Sequence, residues 1–264
     1  MSQIEPTVPE TVSEADFEIR LPEAGQGLDQ DEEWCEILVD GQRRRIRFHD
    51  YHEIYSIPGF YERLFYDRLK CESPRVIRRL LARVLAELGT EPGELRVLDV
   101  GAGNGIVGAE LRELGAGVVY GIDIIEEAAA AAQRDRPGVY ESYLVADLTE
   151  LTRDEHDTLA EAGLNTMTTV AALGFDDMPP HAFAAAYNLI STPGLVAFTI
   201  KEDFVAKRGL NGFSSLIRRM LNEEAMRPLA KERYRHRLSV QGEPLYYVAF
   251  VAEKVSDVSQ AWLD

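Results

Sequence analysis

Glu94-Leu-Arg-Val-Leu-Asp-Val-Gly-Ala-Gly-Asn-Gly-Ile-Val-Gly108 is the stretch from which the fold can be read. Val97, Leu98 and Val100 form a short apolar run, as in a parallel strand buried on both faces. Gly101, Gly103 and Gly105 follow at once, and Ile106, Val107, Leu111 and Leu114 then recur at helical spacing. A glycine-rich turn between strand and helix lets a ligand approach the backbone closely, because no Cβ intervenes. The helix start beyond it carries free backbone N–H groups. The turn is therefore expected to hold a nucleotide-like or carboxylate-bearing ligand.

Downstream of the turn, strand and helix patterns alternate. Strands are predicted over residues 118–123, 143–146, 166–172 and 195–201, with helices over 126–134, 155–162 and 181–190 between them. An amphipathic helix is expected over 210–221. Two closing strands, 234–240 and 245–253, are joined by Gln241-Gly-Glu-Pro244 and read as an antiparallel hairpin at the sheet edge. Such alternation implies an α/β, doubly wound sheet of seven strands with helices on both faces.

Upstream, residues 1–33 are rich in Asp, Glu, Pro and Gly and poor in apolar side chains, so an acidic, disordered tail is expected there. Residues 34–48 read as a hairpin around Asp40-Gly41. Cys35, Ile37 and Val39 would share a face with Ile46 and Phe48, and Glu36 would face Arg45. Residues 50–71 are dense in aromatics, with Pro58 as a helix start. Ser73 and Pro74 suggest a capped helix whose stripe runs from Val76 to Leu88. The expected division is a tail (1–33), a hairpin and helical cover (34–90), and a main domain (91–264).

Gly103-Asn-Gly105-Ile-Val-Gly108 matches the G-x-G-x-x-G of dinucleotide folds, a weak signal alone. The longer string Val-Leu-Asp-Val-Gly-Ala-Gly-Asn-Gly, with Asp99 two places before the first glycine, resembles motif I of the class I S-adenosylmethionine-dependent methyltransferases. Asp123, about 20 residues past the turn, ends the second strand, where a carboxylate can accept both ribose hydroxyls of a nucleotide. The third strand ends in Ala146-Asp147-Leu148. The resemblance assigns Asp147 to the adenine amino group and the adjacent apolar residue to the ring. It covers residues 94–253 and implies a Rossmann-like sheet with an antiparallel last strand. It also implies S-adenosylmethionine as cofactor, held by Asp99, Gly101, Ala102, Gly103, Asn104, Gly105, Asp123, Ile124, Asp147, Leu148 and Ala171.

With 264 residues the chain suffices for one large α/β domain and a small extension. No run approaches the ~20 apolar residues of a membrane span. No basic start precedes an apolar block, so no signal peptide is expected. Cys35 and Cys71 are the only cysteines. They suggest neither a disulfide framework nor a zinc site, so a cytoplasmic location is expected. The net charge of −17 argues against a nucleic-acid partner, since phosphate backbones are held by an excess of Lys and Arg. The patches Arg43-Arg44-Arg45-Ile-Arg47 and Lys231-Glu-Arg233-Tyr-Arg235-His-Arg237 keep nucleic-acid methylation as the alternative.

The expected reaction is methyl transfer to a small-molecule acceptor, which chiefly requires positioning the nucleophile. After the fourth strand, Met178-Pro-Pro-His181 does not match the Asn/Asp-Pro-Pro-aromatic run of amino-group methyltransferases acting on DNA or glutamine. Neither cysteine stands where cytosine-C5 enzymes need one. Asp176 and Asp177 alone are too few for a metal site, so no metal is expected. The catalytic candidates are His236, Tyr55 and Tyr61, with His52 and the alternating Arg233, Arg235 and Arg237 as further polar groups. The acceptor is expected between the aromatic segment, residues 51–66, and residues 173–177. An NAD(P)-dependent oxidoreductase and a non-catalytic S-adenosylmethionine-binding protein are the readings of another class.

Overall fold

A computed structural model describes residues 17–23, 27–39, 41–173, 178–202 and 212–263. The chain begins with a small antiparallel sheet in the order β1 (Glu18–Arg20), β2 (Trp34–Val39) and β3 (Gln42–Arg47). Cys35, Ile37, Ile46 and Phe48 are buried on one face of it, and Glu36 stands opposite Arg45, the register expected from the turn. A helical cover follows: α1 (Tyr51–Ser56), then α2 (Phe60–Glu62), which runs into a wider π turn over Arg63–Arg68. Pro58 does not start the cover. It lies in the break between α1 and α2, where Gly59 takes a left-handed conformation.

The expectation of a tail reaching Glu33 is corrected. Phe17 and Ile19 are buried against Phe60, Leu64 and the inner face of the small sheet, and Glu33 is buried too. Two apolar side chains two apart are enough to anchor a short edge strand. Residues 1–16 lie outside the described part.

α3 (Ser73–Leu88) buries Val76, Ile77, Leu80, Leu81, Val84 and Leu85, a stripe at helical spacing. Burying each such side chain contributes about 1.5–3 kcal/mol. Ser73 is the first residue of this helix rather than its cap, and its hydroxyl is used elsewhere.

The main sheet is built from β4 (Arg96–Val100), β5 (Val118–Asp123), β6 (Ser142–Val145), β7 (Thr166–Thr169), β8 (Gly194–Lys201), β9 (Met226–Leu238) and β10 (Pro244–Lys254). Its order is β6-β5-β4-β7-β8-β10-β9. The first five run parallel, and β10 lies antiparallel between β8 and β9. The helices between them are α4 (Ile106–Leu114), α5 (Glu126–Asp135), α6 (Arg153–Glu161), α7 (Pro180–Asn188) and α8 (Gly212–Asn222). Alternation along β4 divides the core. Val97 packs with Val119, Ala249 and Val251 against α3 and α4, while Leu98 and Val100 pack with Phe183, Phe198 and Leu216 on the side of α6, α7 and α8. Buried Lys254 donates to the carbonyls of Tyr187 at 2.9 Å and Ile190 at 2.6 Å, which satisfies the end of α7. Among the described residues no helix is long and apolar enough to cross a membrane.

Candidate active site

At the end of β4 the chain turns on three residues with positive φ, Gly101, Gly103 and Gly105. Gly103 meets a further demand. The Tyr55 hydroxyl stands where a Cβ on this residue would be, so only a glycine admits the cover so close to the turn. Gly103 N donates to Asp123 Oδ2 at 2.9 Å, and Tyr143 Oη donates to Gly103 O at 2.9 Å.

Asp99 lies behind this turn. It is 1% exposed. Its carboxylate accepts from Thr168 Oγ1 at 2.7 Å and from Tyr140 Oη at 2.8 Å. Tyr140 reaches it past Gly108, where any Cβ would collide with the phenol ring. Burial pushes the Asp99 carboxyl up to about 7, against the pull of its Thr168 and Tyr140 hydrogen bonds. The side chain thus ties β4, β7 and the segment before β6 together beneath the turn.

In front of the turn, at the carboxyl ends of the parallel strands, is a cavity of about 490 Å3. That is within the usual range for a ligand pocket, and a doubly wound sheet binds its ligands at this place. Gly101, Asp123, Ile124, Asp147, Leu148 and Ala171 line it, with Tyr51, Tyr55 and Tyr61 of the cover above. Asp123 Oδ1 also accepts from Ile125 N at 3.1 Å. Burial raises its carboxyl, opposed by these backbone donors. Asp147 is exposed and accepts through Oδ1 from the hydroxyl and the N–H of Thr149, which hold its carboxyl below the usual range. Ala171, just after β7, has a φ of 59°. A non-glycine residue in that region carries backbone strain, here offset in part by Ala171 N donating to Thr199 Oγ1 at 2.8 Å.

A second, smaller chamber of about 40 Å3 adjoins this cavity. His49, Tyr51, Tyr61 and Ala171 belong to the walls of both. Its remaining wall includes Gln30, Cys71, Leu173, His236, Arg237 and Tyr247. A break in strand register brings His236 and Arg237 there together. Leu245 pairs with Arg237 and Tyr246 with Arg235, so His236 is the extra residue of a β-bulge. Bulges break the in–out alternation of a strand, and both side chains turn inward. The His236 ring stacks on Tyr247 with centroids 4.0 Å apart, and its Nδ1 lies 2.6 Å from Ser73 Oγ, which also bonds Tyr234 Oη at 2.6 Å. Burial, and then Arg237, hold the imidazole well below its ordinary pKa, so it is neutral near pH 7. The Arg237 guanidinium is matched by buried Glu33.

A model of the methyltransferase domain family matches residues 72–236. The chain is a class I S-adenosylmethionine-dependent methyltransferase. The oxidoreductase and non-catalytic readings fall with that result. Several solved structures are similar at low identity. Magnesium protoporphyrin IX methyltransferase from Synechocystis PCC 6803, with bound S-adenosylmethionine, is 19% identical over 69% of this chain and 79% of its own, at a TM-score of 0.48. A putative RNA methyltransferase from Pyrococcus horikoshii is 17% identical over 67% and 83%, at 0.48. An S-adenosylmethionine-dependent methyltransferase from Mesorhizobium loti is 17% identical over 65% and 96%, at 0.46. At this distance the acceptors of those proteins say nothing about the acceptor of this one. No curated protein matches the chain in sequence.

The cofactor is S-adenosylmethionine, and the walls of this methyltransferase fit it. Gly101 of the turn, a carboxylate at the end of β5 and an apolar floor at Leu148 face one cavity of suitable volume. The expected cofactor set divides. Gly101, Asp123, Ile124, Asp147, Leu148 and Ala171 lie on the wall. Asp99, Ala102, Gly103, Asn104 and Gly105 do not. Asp99 supports the turn from behind, and Asn104 is turned away to donate to Glu62 at 3.2 Å.

The catalytic candidates divide as well. Tyr55 stands over Gly103 on the wall of the larger cavity, whereas Tyr61 lies on both walls and His236 on the chamber alone. Burial raises both phenols above their ordinary pKa, so they remain protonated donors near pH 7. His52 is exposed. His49, three residues earlier, lines both cavities and had no distinguishing signal, being a lone His at a hairpin end. Arg233 and Arg235 point outward and pair with Glu202 and Glu72. Residues 174–177, including Phe175, Asp176 and Asp177, lie outside the described part. Among the described residues no group of three His, Cys, Asp or Glu could hold a metal ion.

Proposed function

We propose that this methyltransferase acts on a small-molecule acceptor whose reacting group enters the chamber beside the cofactor cavity. The observation that carries this reading is the shared wall. His49, Tyr51, Tyr61 and Ala171 belong to both spaces, so a group in the chamber is adjacent to whatever fills the larger cavity. A space of about 40 Å3 under the N-terminal cover suits a small functional group and not a nucleic-acid base. The charges support the same choice. Phosphate binding needs unengaged Lys and Arg, whereas Arg233, Arg235 and Arg237 are each matched by a glutamate. Two free thiols suit a cytoplasmic setting.

The roles follow from position. Asp123 takes the ribose hydroxyls and Asp147 the adenine amino group, with Ile124 and Leu148 against the ring and Gly101 and Ala171 close to the backbone of the site. The cofactor supplies a sulfonium methyl already activated toward nucleophiles. His236, with Nδ1 engaged by Ser73, receives the acceptor's proton at Nε2. Tyr61 donates a hydrogen bond that orients the acceptor, and the cover excludes water.

The test is a metabolite screen for formation of S-adenosylhomocysteine, with His236→Gln as the comparison. The variant is expected to bind cofactor within about 1 kcal/mol of the parent and to lose turnover by about 100-fold or more. Methylation of an RNA or DNA panel in place of any metabolite would refute the small-molecule reading.

A further inference from the structure

Gln30 comes from the segment in which the sequence suggested no structure, yet it is 9% exposed and forms part of the chamber wall. Its Nε2 donates to Tyr247 Oη at 2.9 Å, and Tyr247 in turn stacks on His236. Its Oε1 is buried and has no hydrogen-bond partner. A buried carbonyl without a donor is costly, and native proteins seldom leave one so. The orphan here belongs to a residue that faces an empty space. The chamber's about 40 Å3 is room for two or three water-sized groups, too little for a phosphate.

Charge narrows the ligand further. Among the described residues of this wall the one permanent cation is Arg237, and Glu33 matches it at 2.5 Å. Among the described residues of the wall an anionic ligand group would find no unmatched cation, and an ammonium no unmatched carboxylate. Burying either without a partner is unfavourable. What remains is an uncharged group that donates a hydrogen bond and is small enough for the space.

Resting on the reading of the chamber as the acceptor site, we propose that Gln30 is a specificity-determining residue that accepts, through Oε1, a hydrogen bond from the hydroxyl of an uncharged alcohol or phenol. Gln30 positions the acceptor through this hydroxyl, and the group that is methylated is the one whose proton passes to His236 Nε2. The N-terminal segment is thus part of the acceptor site, and Tyr247 holds the carboxamide in place.

The experiment uses the full chain with S-adenosylhomocysteine added and phenol, benzoate and benzylamine as probes, each titrated calorimetrically and soaked into crystals. Phenol is expected to bind, with its oxygen within hydrogen-bond distance of Gln30 Oε1, and the two charged probes are expected to bind at least about tenfold more weakly. Gln30→Leu is expected to weaken phenol by about tenfold while leaving S-adenosylhomocysteine affinity within about twofold. For an alcohol or phenol found as substrate, it is expected to raise KM and leave kcat nearly unchanged. If Gln30→Leu fails to fold, the soaked parent crystals decide alone. Equal binding of the charged probes, phenol bound away from Gln30, or a water molecule alone on Oε1 overturns the proposal. Failure of S-adenosylhomocysteine itself to bind would instead refute the assignment of the cofactor cavity.

Discussion

Arg237 donates to Glu33 at 2.5 Å with 4% and 0% of the two side chains exposed, across 204 residues of chain. Glu33 uses its other oxygen to accept from Val240 N at 2.7 Å. The pair therefore fastens the N-terminal segment to the end of β9. Removing one partner leaves a buried charge unmatched, at a cost of about 3–5 kcal/mol. Glu33→Ala is expected to lower stability by that amount in urea unfolding, and the double change Glu33→Leu with Arg237→Met by much less. A deletion of residues 1–33, which the tail reading would have tolerated, is expected to destabilise at least as strongly as Glu33→Ala. An unchanged midpoint after either change would show that the pair contributes little.

Asp99 gives a pH prediction of definite sign. Its folded pKa of about 7 lies above its ordinary value of 3.8. Between these values the folded protein holds a proton that the unfolded chain has lost. Asp99 therefore favours the folded state below pH 4, and this contribution is lost as pH rises toward 7, by on the order of 1.4 kcal/mol per pH unit. Asp99→Asn removes the titration. The stability of the parent relative to the variant should fall from pH 5 to pH 7 and level off above. A difference that is flat over this interval would show that Thr168 and Tyr140 stabilise the ionised carboxylate more than burial opposes it.

The parts of this molecule that were legible in its sequence are those set by local chemistry. The apolar run at Val97, the glycine turn and Asp123 follow each other within one strand–helix–strand unit, and the alternation beyond them fixes a parallel sheet. The cavity at the carboxyl ends of the strands was legible for the same reason, since strand ends can be counted. Gln30, Glu33 and His49 were not. Each is a single polar residue in a turn-rich stretch, and for two of them the partner lies far along the chain: Tyr247 for Gln30, Arg237 for Glu33. Strict alternation along β9 also misplaced Arg237, because a bulge carries no composition of its own and His236 looks like any strand residue. Ser73 had the appearance of a helix cap, yet its hydroxyl bridges Tyr234 and His236.

Asp123 joins the cavity wall to the turn itself, because the carboxylate proposed to accept the ribose hydroxyls already holds Gly103 N and Ile125 N. Asp123→Ala should weaken S-adenosylmethionine by roughly 2–4 kcal/mol through loss of charge-assisted hydrogen bonds. Asp123→Asn, which keeps one acceptor oxygen, should lose less. Calorimetric titration of both variants, after a check of their folding by circular dichroism, measures the two effects. Affinities equal to the parent's would reduce Asp123 to a support of the turn.

Tyr55 and Tyr61 are neighbours in the cover, with ring centroids 5.0 Å apart, and both line the larger cavity, but of the two only Tyr61 also lines the smaller chamber. The Tyr55 hydroxyl is against Gly103, and its ring packs on Ala128 and Ala131 of α5. Tyr61 reaches the wall shared with the smaller chamber, the proposed acceptor site. Loss of the Tyr55 hydroxyl should therefore be felt at the cofactor, and loss of the Tyr61 hydroxyl at the acceptor. Tyr55→Phe is expected to change the Kd for S-adenosylmethionine by about 1 kcal/mol, the worth of one hydrogen bond. Tyr61→Phe is expected to leave that Kd within about 0.5 kcal/mol and to lower kcat/KM for the acceptor by about tenfold. Each variant keeps its ring, so the aromatic packing of the cover is preserved and stability should change little. If the two effects are exchanged, the acceptor enters over the glycine turn and not through the chamber. If both act on cofactor affinity alone, the cover is a cofactor lid and the chamber has no part in turnover.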